Sequence, residues 1–205
     1  MLKRFFTNKQ VAISGNIATG KTTLVKLLTR QMNASPLYEK YNKNPYLNNF
    51  YKNKKKWSFH SQLFFLINKF HSYKKLNNKQ NIIIFDRTIY EDAEIFAKLL
   101  YNEHKITKYD FNTYWLLYKT ICITVKSPNL MIYLKCPVPI LKKRIFFRNR
   151  TIEKSITLSY LYKLEYLYDS WIKKYNKSKI IIIKTNHLKK IDYKLTINRI
   201  KKIIT

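Results

Sequence analysis

Apolar residues fall along this chain in two alternating periodicities. Four short runs, 10–14 (Gln10-Val11-Ala12-Ile13-Ser14), 81–85 (Asn81-Ile82-Ile83-Ile84-Phe85), 130–134 (Leu130-Met131-Ile132-Tyr133-Leu134) and 179–184, are strand-length and nearly continuously apolar. All four read as strands, and the run 81–85 is of the kind buried on both faces of a parallel sheet. Pro36-Leu37-Tyr38-Glu39 predicts one more short strand, ending in a carboxylate. Between these runs the apolar spacing turns helical. It does so after Thr22, over 57–76 through Phe59, Leu63, Leu66, Ile67 and Phe70, over 91–101, over 109–126, after Pro137 and Pro139, over 155–175 and over 191–204. Strands alternating with helices predict an α/β fold, a parallel sheet of about five strands flanked by helices. In such sheets ligands gather outside the carboxyl ends of the strands.

The 205 residues fit a single domain, 1–205, with no internal repeat and no linker to divide it. No apolar run approaches the roughly 18 residues that a membrane span needs. The first strand begins too early to leave room for a cleavable signal, so a cytoplasmic protein without membrane contact is expected. Cys122 and Cys136 are too few for a disulfide framework, and His60, His71, His104 and His187 lack metal-ligand spacing. The net charge of +30, from 41 basic and 11 acidic residues, admits two readings. Lysine, asparagine, isoleucine and tyrosine are abundant together, as AT-rich codons would make them. Alternatively, the charge draws in anions such as nucleotides. The Asn/Lys-rich stretch 40–56 reads as loop and helix connector, since aromatics interrupt it.

Both glycines of the chain lie in one motif, Gly15-Asn16-Ile17-Ala18-Thr19-Gly20-Lys21-Thr22. This is the G-x-x-x-x-G-K-[ST] phosphate-binding loop, and it stands between a predicted strand and a predicted helix, as its mechanism requires. Backbone N–H groups of the loop and helix start, Thr23 included, face an anion. Lys21 reaches the β- and γ-phosphates, and the Thr22 hydroxyl holds Mg²⁺. The motif places the chain among P-loop NTPase folds. At other strand ends stand Glu39 and the pair Asp86-Arg87. Downstream, one predicted helix carries Arg144, Arg148 and Arg150, conspicuous in a lysine-rich chain because guanidinium makes planar, bidentate phosphate contacts.

In order, the P-loop, Glu39, Asn44-Pro45-Tyr46, Phe50-Tyr51, Trp57-Ser58-Phe59-His60-Ser61-Gln62, Asp86-Arg87-Thr88-Ile89-Tyr90-Glu91-Asp92, Arg144-x-x-x-Arg148-x-Arg150 and 161–171 cover most of the chain. This set resembles the deoxyribonucleoside kinase family, in its deoxyadenosine/deoxyguanosine/deoxycytidine branch. The resemblance implies ATP- and Mg²⁺-dependent phosphorylation of a deoxyribonucleoside 5′-hydroxyl for nucleotide salvage, with a purine favoured and deoxycytidine next. It makes Glu39 the general base and Arg144, Arg148 and Arg150 a lid that closes over the phosphates. Arg87 steadies the 5′-oxygen and the moving phosphoryl group, and Asp86 holds Mg²⁺ through water. Tyr51 and Glu153 bind the sugar 3′-hydroxyl, Gln62 reads the base edge, and Phe96 stacks on the base. For Phe96 and Trp57 a core-aromatic role fits the sequence as well.

The resemblance has departures. Lys69 stands where many relatives carry an arginine, paired with the acidic residue matched by Asp92, and lysine lacks the fork-like contact. Thr88 replaces a serine, Ser61 replaces an aromatic of some relatives, and Phe65 occupies a position that influences base choice. The family forms homodimers through long helices, and the helical stretches 57–76 and 109–126 offer such a surface or an ordinary core. Two rival functions are a nucleoside monophosphate kinase such as thymidylate kinase, and a basic nucleic-acid-binding P-loop protein. Glu39 argues against the first, since a monophosphate acceptor has no free 5′-hydroxyl. The second lacks a recognised nucleic-acid motif and leaves only non-specific binding.

Overall fold

The computed structural model describes residues 9–39, 41–76, 82–150, 153–186, 197–198 and 200–203. Five strands, β1 (Lys9–Gly15), β2 (Ser35–Leu37), β3 (Ile82–Asp86), β4 (Leu130–Lys135) and β5 (Lys179–Lys184), form one sheet in the order β2-β3-β1-β4-β5. Every pairing is parallel. Helices cover both faces: α1 (Lys21–Met32), α2 (Leu47–Lys52), α3 (Lys54–Lys74), α4 (Ile89–Glu91), α5 (Lys98–Asn102), α6 (Lys108–Thr124), α7 (Val138–Arg148) and α8 (Leu158–Lys174).

Alternate residues of the central strands feed two core layers. Val11, Ile13, Ile84, Ile132 and Leu134 pack against Leu24, Val25 and Leu28 of α1. Ala12, Ile83, Phe85 and Met131 face the opposite way, toward Leu66 of α3, Tyr90 of α4 and Tyr114 and Tyr118 of α6. Both layers need apolar residues, which is why the strands read as unbroken runs.

Two boundaries beside the site differ from expectation. Strand β2 ends at Leu37, so Glu39 lies just past a strand instead of within one. As an edge strand β2 pairs only with β3, from Ser35↔Ile83 to Leu37↔Phe85, and β3 itself stops at Asp86. The helix expected from 91 starts at Ile89. Thr88 and Glu91 close a reciprocal capping box that fixes the start. Its middle, Asp92–Ala97, is π-helical and joins α4 to α5. Such turns are frequent at functional sites, and this one carries Asp92 and Phe96. Of the closing helix expected over 191–204, the part 191–196 lies outside the described residues, while residues 197, 198 and 200–203 are helical.

Candidate active site

The carboxyl ends of β1, β2 and β3 open into one cavity of about 330 Å³. Strand β1 ends in Gly15, whose φ is +142°, and a Cβ there would sit 2.5 Å from the Leu134 carbonyl oxygen on β4. The loop must pass that close to β4, so only glycine fits. Gly20 at the other end of the loop has φ +99° and gives α1 no side-chain cap. The helix therefore opens on main-chain N–H groups, an anion-binding geometry. The Asn16 side chain braces the loop from behind, donating to the Leu161 carbonyl and accepting from the Ile17 N–H. The Thr19 hydroxyl donates to the Asn16 carbonyl.

Lys21 folds back over the loop, and its Nζ donates to the Gly15 and Asn16 carbonyls at 2.9 and 2.7 Å. Burial, aided by the Arg87 guanidinium, pulls its pKa down to about 7 against the opposing pull of Asp86, Glu91 and Glu39. The Thr22 hydroxyl donates to Asp86 Oδ2 at 2.6 Å. A hydroxyl and a carboxylate oxygen meeting beside the phosphate loop are hard-oxygen ligands suited to Mg²⁺.

Arg87 follows β3 with a left-handed backbone, φ +71°, anchored by its N–H on the Ile13 carbonyl. A bulky residue rarely holds that conformation, so the site must over-determine it. Its Nε lies 3.2 Å from Glu39, and its Nη1 donates to the Gly15 carbonyl at 3.2 Å, to Glu91 at 3.4 Å and to the Tyr168 hydroxyl. Phe96 covers it, with the ring centroid 4.7 Å from the guanidinium carbon. Burial raises the Glu39 pKa, but Arg87, Lys69 and Lys21 together outweigh that and hold the carboxyl below its ordinary range. Glu39 is therefore an ionised acceptor at neutral pH, aligned by a cation.

Farther from the P-loop lie Gln62 and Phe65 of α3, Asp92 and Phe96 of the π turn, and Tyr51 of α2. Asp92 Oδ1 accepts from Lys69 Nζ at 2.9 Å, while its Oδ2 is buried without a protein partner. Burial pushes the Asp92 pKa up to about 6, against the pull of Lys69. Asn44 ties the preceding loop to α3: its amide donates to the Ser61 carbonyl and hydroxyl, and its oxygen accepts from the Tyr46 N–H. Ser61 is thus a fully buried anchor.

At the mouth, Glu153 accepts from Arg148 Nε at 3.0 Å and from Arg150 at 3.4 Å. Arg150 also lies over the Tyr41 ring at 4.9 Å.

Most residues singled out from sequence line this one cavity: Ile17, Ala18, Lys21, Thr22, Glu39, Tyr51, Gln62, Asp86, Arg87, Asp92, Phe96, Arg148, Arg150 and Glu153. Six stand apart from its lining: Gly15, Asn16, Thr19 and Gly20 of the loop itself, with Thr23 and Arg144. Thr23 is exposed on α1, and Arg144 donates to the Ala18 and Thr185 carbonyls, at the flank of the loop. Trp57 stacks on Tyr46 at 5.8 Å. Sequence reasoning passed over Tyr41, Tyr160, Glu91 and Tyr168. Only Glu91 carried a local signal, the Thr88-x-x-Glu91 cap pattern; Tyr160 and Tyr168 arrive from α8, and Tyr41 from the short 3₁₀ turn after Glu39.

A family model described as deoxynucleoside kinase matches residues 11–205. The chain is 31% identical over 176 residues to a deoxyadenosine/deoxycytidine kinase of Bacillus subtilis (strain 168), covering 85% of this chain and 81% of that protein. It is 34% identical over 164 residues to a deoxyguanosine kinase of the same organism, covering 80% and 78%. Among solved structures, a deoxyadenosine kinase from M. mycoides with bound dCTP superposes with a TM-score of 0.83 at 27% identity, over 94% of this chain and 99% of that one.

Proposed function

This chain belongs to the deoxynucleoside kinase family, an enzyme family of P-loop NTPase fold, and from that premise we propose that it transfers the γ-phosphoryl group of ATP to the 5′-hydroxyl of a deoxyribonucleoside. The observation that carries the reading is the meeting of Glu39 with Arg87, 3.2 Å apart, in the cavity that Lys21, Thr22 and Asp86 also line. Glu39 accepts the 5′-hydroxyl proton as the oxygen attacks phosphorus, and ADP leaves. Arg87 and Lys21 stabilise charge on the transferring group, and the P-loop amides fix its position. Arg148 and Arg150 supply further charge from the lid, and Arg144 braces the loop from outside. Thr22 and Asp86 would hold Mg²⁺, which would supply positive charge to offset that of the phosphates.

Tyr51 and Glu153 are the sugar contacts, and Gln62, Asp92 and Phe96 the base contacts. A purine is favoured, in keeping with the names of the deoxyadenosine and deoxyguanosine kinases that the chain resembles. The product monophosphate enters nucleotide salvage in the cytoplasm. No described helix is long and apolar enough to cross a membrane. A homodimer is supported by α6, whose Tyr109, Leu116 and Ile123 recur every seven residues and are 85%, 70% and 86% exposed. One domain spans 1–205. Binding to nucleic acid is non-specific at most, a matter of the surface charge.

ADP release with ATP, Mg²⁺ and each of deoxyadenosine, deoxyguanosine, deoxycytidine, thymidine and thymidine monophosphate tests this. Turnover with a nucleoside, reduced about 10²-fold or more by Glu39→Gln and by Lys21→Ala, is expected. Turnover with the monophosphate alone would remove Glu39 from its role.

A further inference from the structure

Glu91 is completely buried, and it does not line the cavity. Its two carboxylate oxygens do different things. Oε2 accepts from the Thr88 N–H at 2.9 Å and from the Thr88 hydroxyl at 3.5 Å. That is the Glu91 side chain's half of the reciprocal helix cap. Oε1 takes no part in the cap. It accepts from the Gly15 N–H at 3.4 Å, from Arg87 Nη1 at 3.4 Å and from the Tyr168 hydroxyl at 2.9 Å. One oxygen thus joins the first peptide of the P-loop, the guanidinium that meets Glu39, and helix α8. Tyr168, itself fully buried, also bonds Arg87 Nη1 and closes the triangle.

Resting on the phosphotransfer reading above, we propose that Glu91 and Tyr168 are positioning residues for Arg87 and for the Gly15 peptide. The argument is one of charge balance and register. Arg87 is buried against two carboxylates, Glu39 on its Nε edge and Glu91 behind Nη1. Only Glu39 faces the acceptor. Glu91 is the standing counter-ion, so Arg87 stays seated while Glu39 takes up a proton during the reaction. Without it the guanidinium would turn wholly to Glu39, and the acceptor would lose both its base and its electrophilic partner. The same oxygen sets the height of the Gly15 N–H, and the carbonyl of the following peptide, that of Gly15, accepts from Lys21 and Arg87. Donor loop and acceptor cation are therefore placed by one group, and a misplacement of about 1 Å there can cost about 10²-fold.

The test compares Tyr168→Phe, Glu91→Gln and the double variant with wild type in steady-state assays over nucleoside and ATP, with thermal unfolding alongside. Glutamine keeps an oxygen for the Thr88 cap but sets an amide NH₂ against three donors. Phenylalanine removes a single hydroxyl. Expected are a kcat about 10-fold lower for Tyr168→Phe and about 100-fold lower for Glu91→Gln, with both KM values within about 3-fold of wild type. The double variant should lose little beyond Glu91→Gln, because the two act as one unit. A Tyr168→Phe enzyme with wild-type kcat overturns the proposal, as does activity lost only in proportion to folded protein. Wild-type protein that turns over no deoxynucleoside overturns the phosphotransfer reading instead.

Discussion

The two ends of the cavity are built on opposite principles. At the phosphate end the protein satisfies itself: Lys21 sits on two loop carbonyls, Thr22 on Asp86, and Arg87 on Glu39, Glu91, Tyr168 and Gly15. At the base end Asp92 Oδ2 is buried with no protein partner, beside aromatic walls from Phe65 and Phe96. Charge development in phosphoryl transfer is the same for every acceptor, so a rigid, internally bonded frame serves it. Selection among bases instead exploits a buried polar atom that only the right ligand can satisfy. On the proposed reading, one end fixes the reaction and the other chooses the substrate.

That contrast can be broken at the base end by removing the Asp92 counter-ion. Lys69→Met leaves a buried carboxylate without its cation and should destabilise the protein by about 3 kcal/mol, read from denaturant unfolding. A loss under about 1 kcal/mol would show that Asp92 is neutral at the working pH. Asp92→Asn is milder. It should lower kcat/KM for the preferred nucleoside by about 10- to 100-fold and reorder preference among the four bases, with KM for ATP unchanged. A uniform loss across bases would assign Asp92 to structure alone.

The smallest effect belongs to the phosphate end. The Lys21 pKa of about 7 lies below that of a free lysine, so the amine is charged below pH 7 and neutral above it. A bound triphosphate favours the ammonium, so ATP binding takes up a proton above pH 7. Affinity should therefore fall as pH rises past 7, by at most about tenfold per unit. Calorimetry in buffers of different ionisation enthalpy should find up to one proton taken up, and Lys21→Met should abolish the uptake.

Legibility in the sequence followed the range of the interaction. The P-loop was readable because its glycines, lysine and threonine act within eight consecutive positions on one local geometry. Four strands were readable from their apolar runs, the edge strand β5 among them, whereas β2 is only three residues, Ser35–Leu37, too short to carry such a run. The resemblance placed Glu39, Arg87, Gln62 and Glu153 beforehand, and they do share one cavity. It grouped Arg144 with Arg148 and Arg150, but gave no sign of its partners Ala18 and Thr185, 126 and 41 residues away. Ser61 looked like a lost aromatic and proved to be the anchor of Asn44.

By itself, then, the sequence determined the alternation of strands and helices, the phosphate loop between β1 and α1, and the capping of the helix after Thr88. These depend on backbone conformation and on neighbours a few residues apart. Tertiary structure alone decided what Arg87 holds and what holds it. Its partners Gly15, Glu39 and Tyr168 come from three other segments of the chain. Only the closing of the parallel sheet and the packing of α8 onto the π turn bring them within hydrogen-bond reach, where burial makes each bond obligatory.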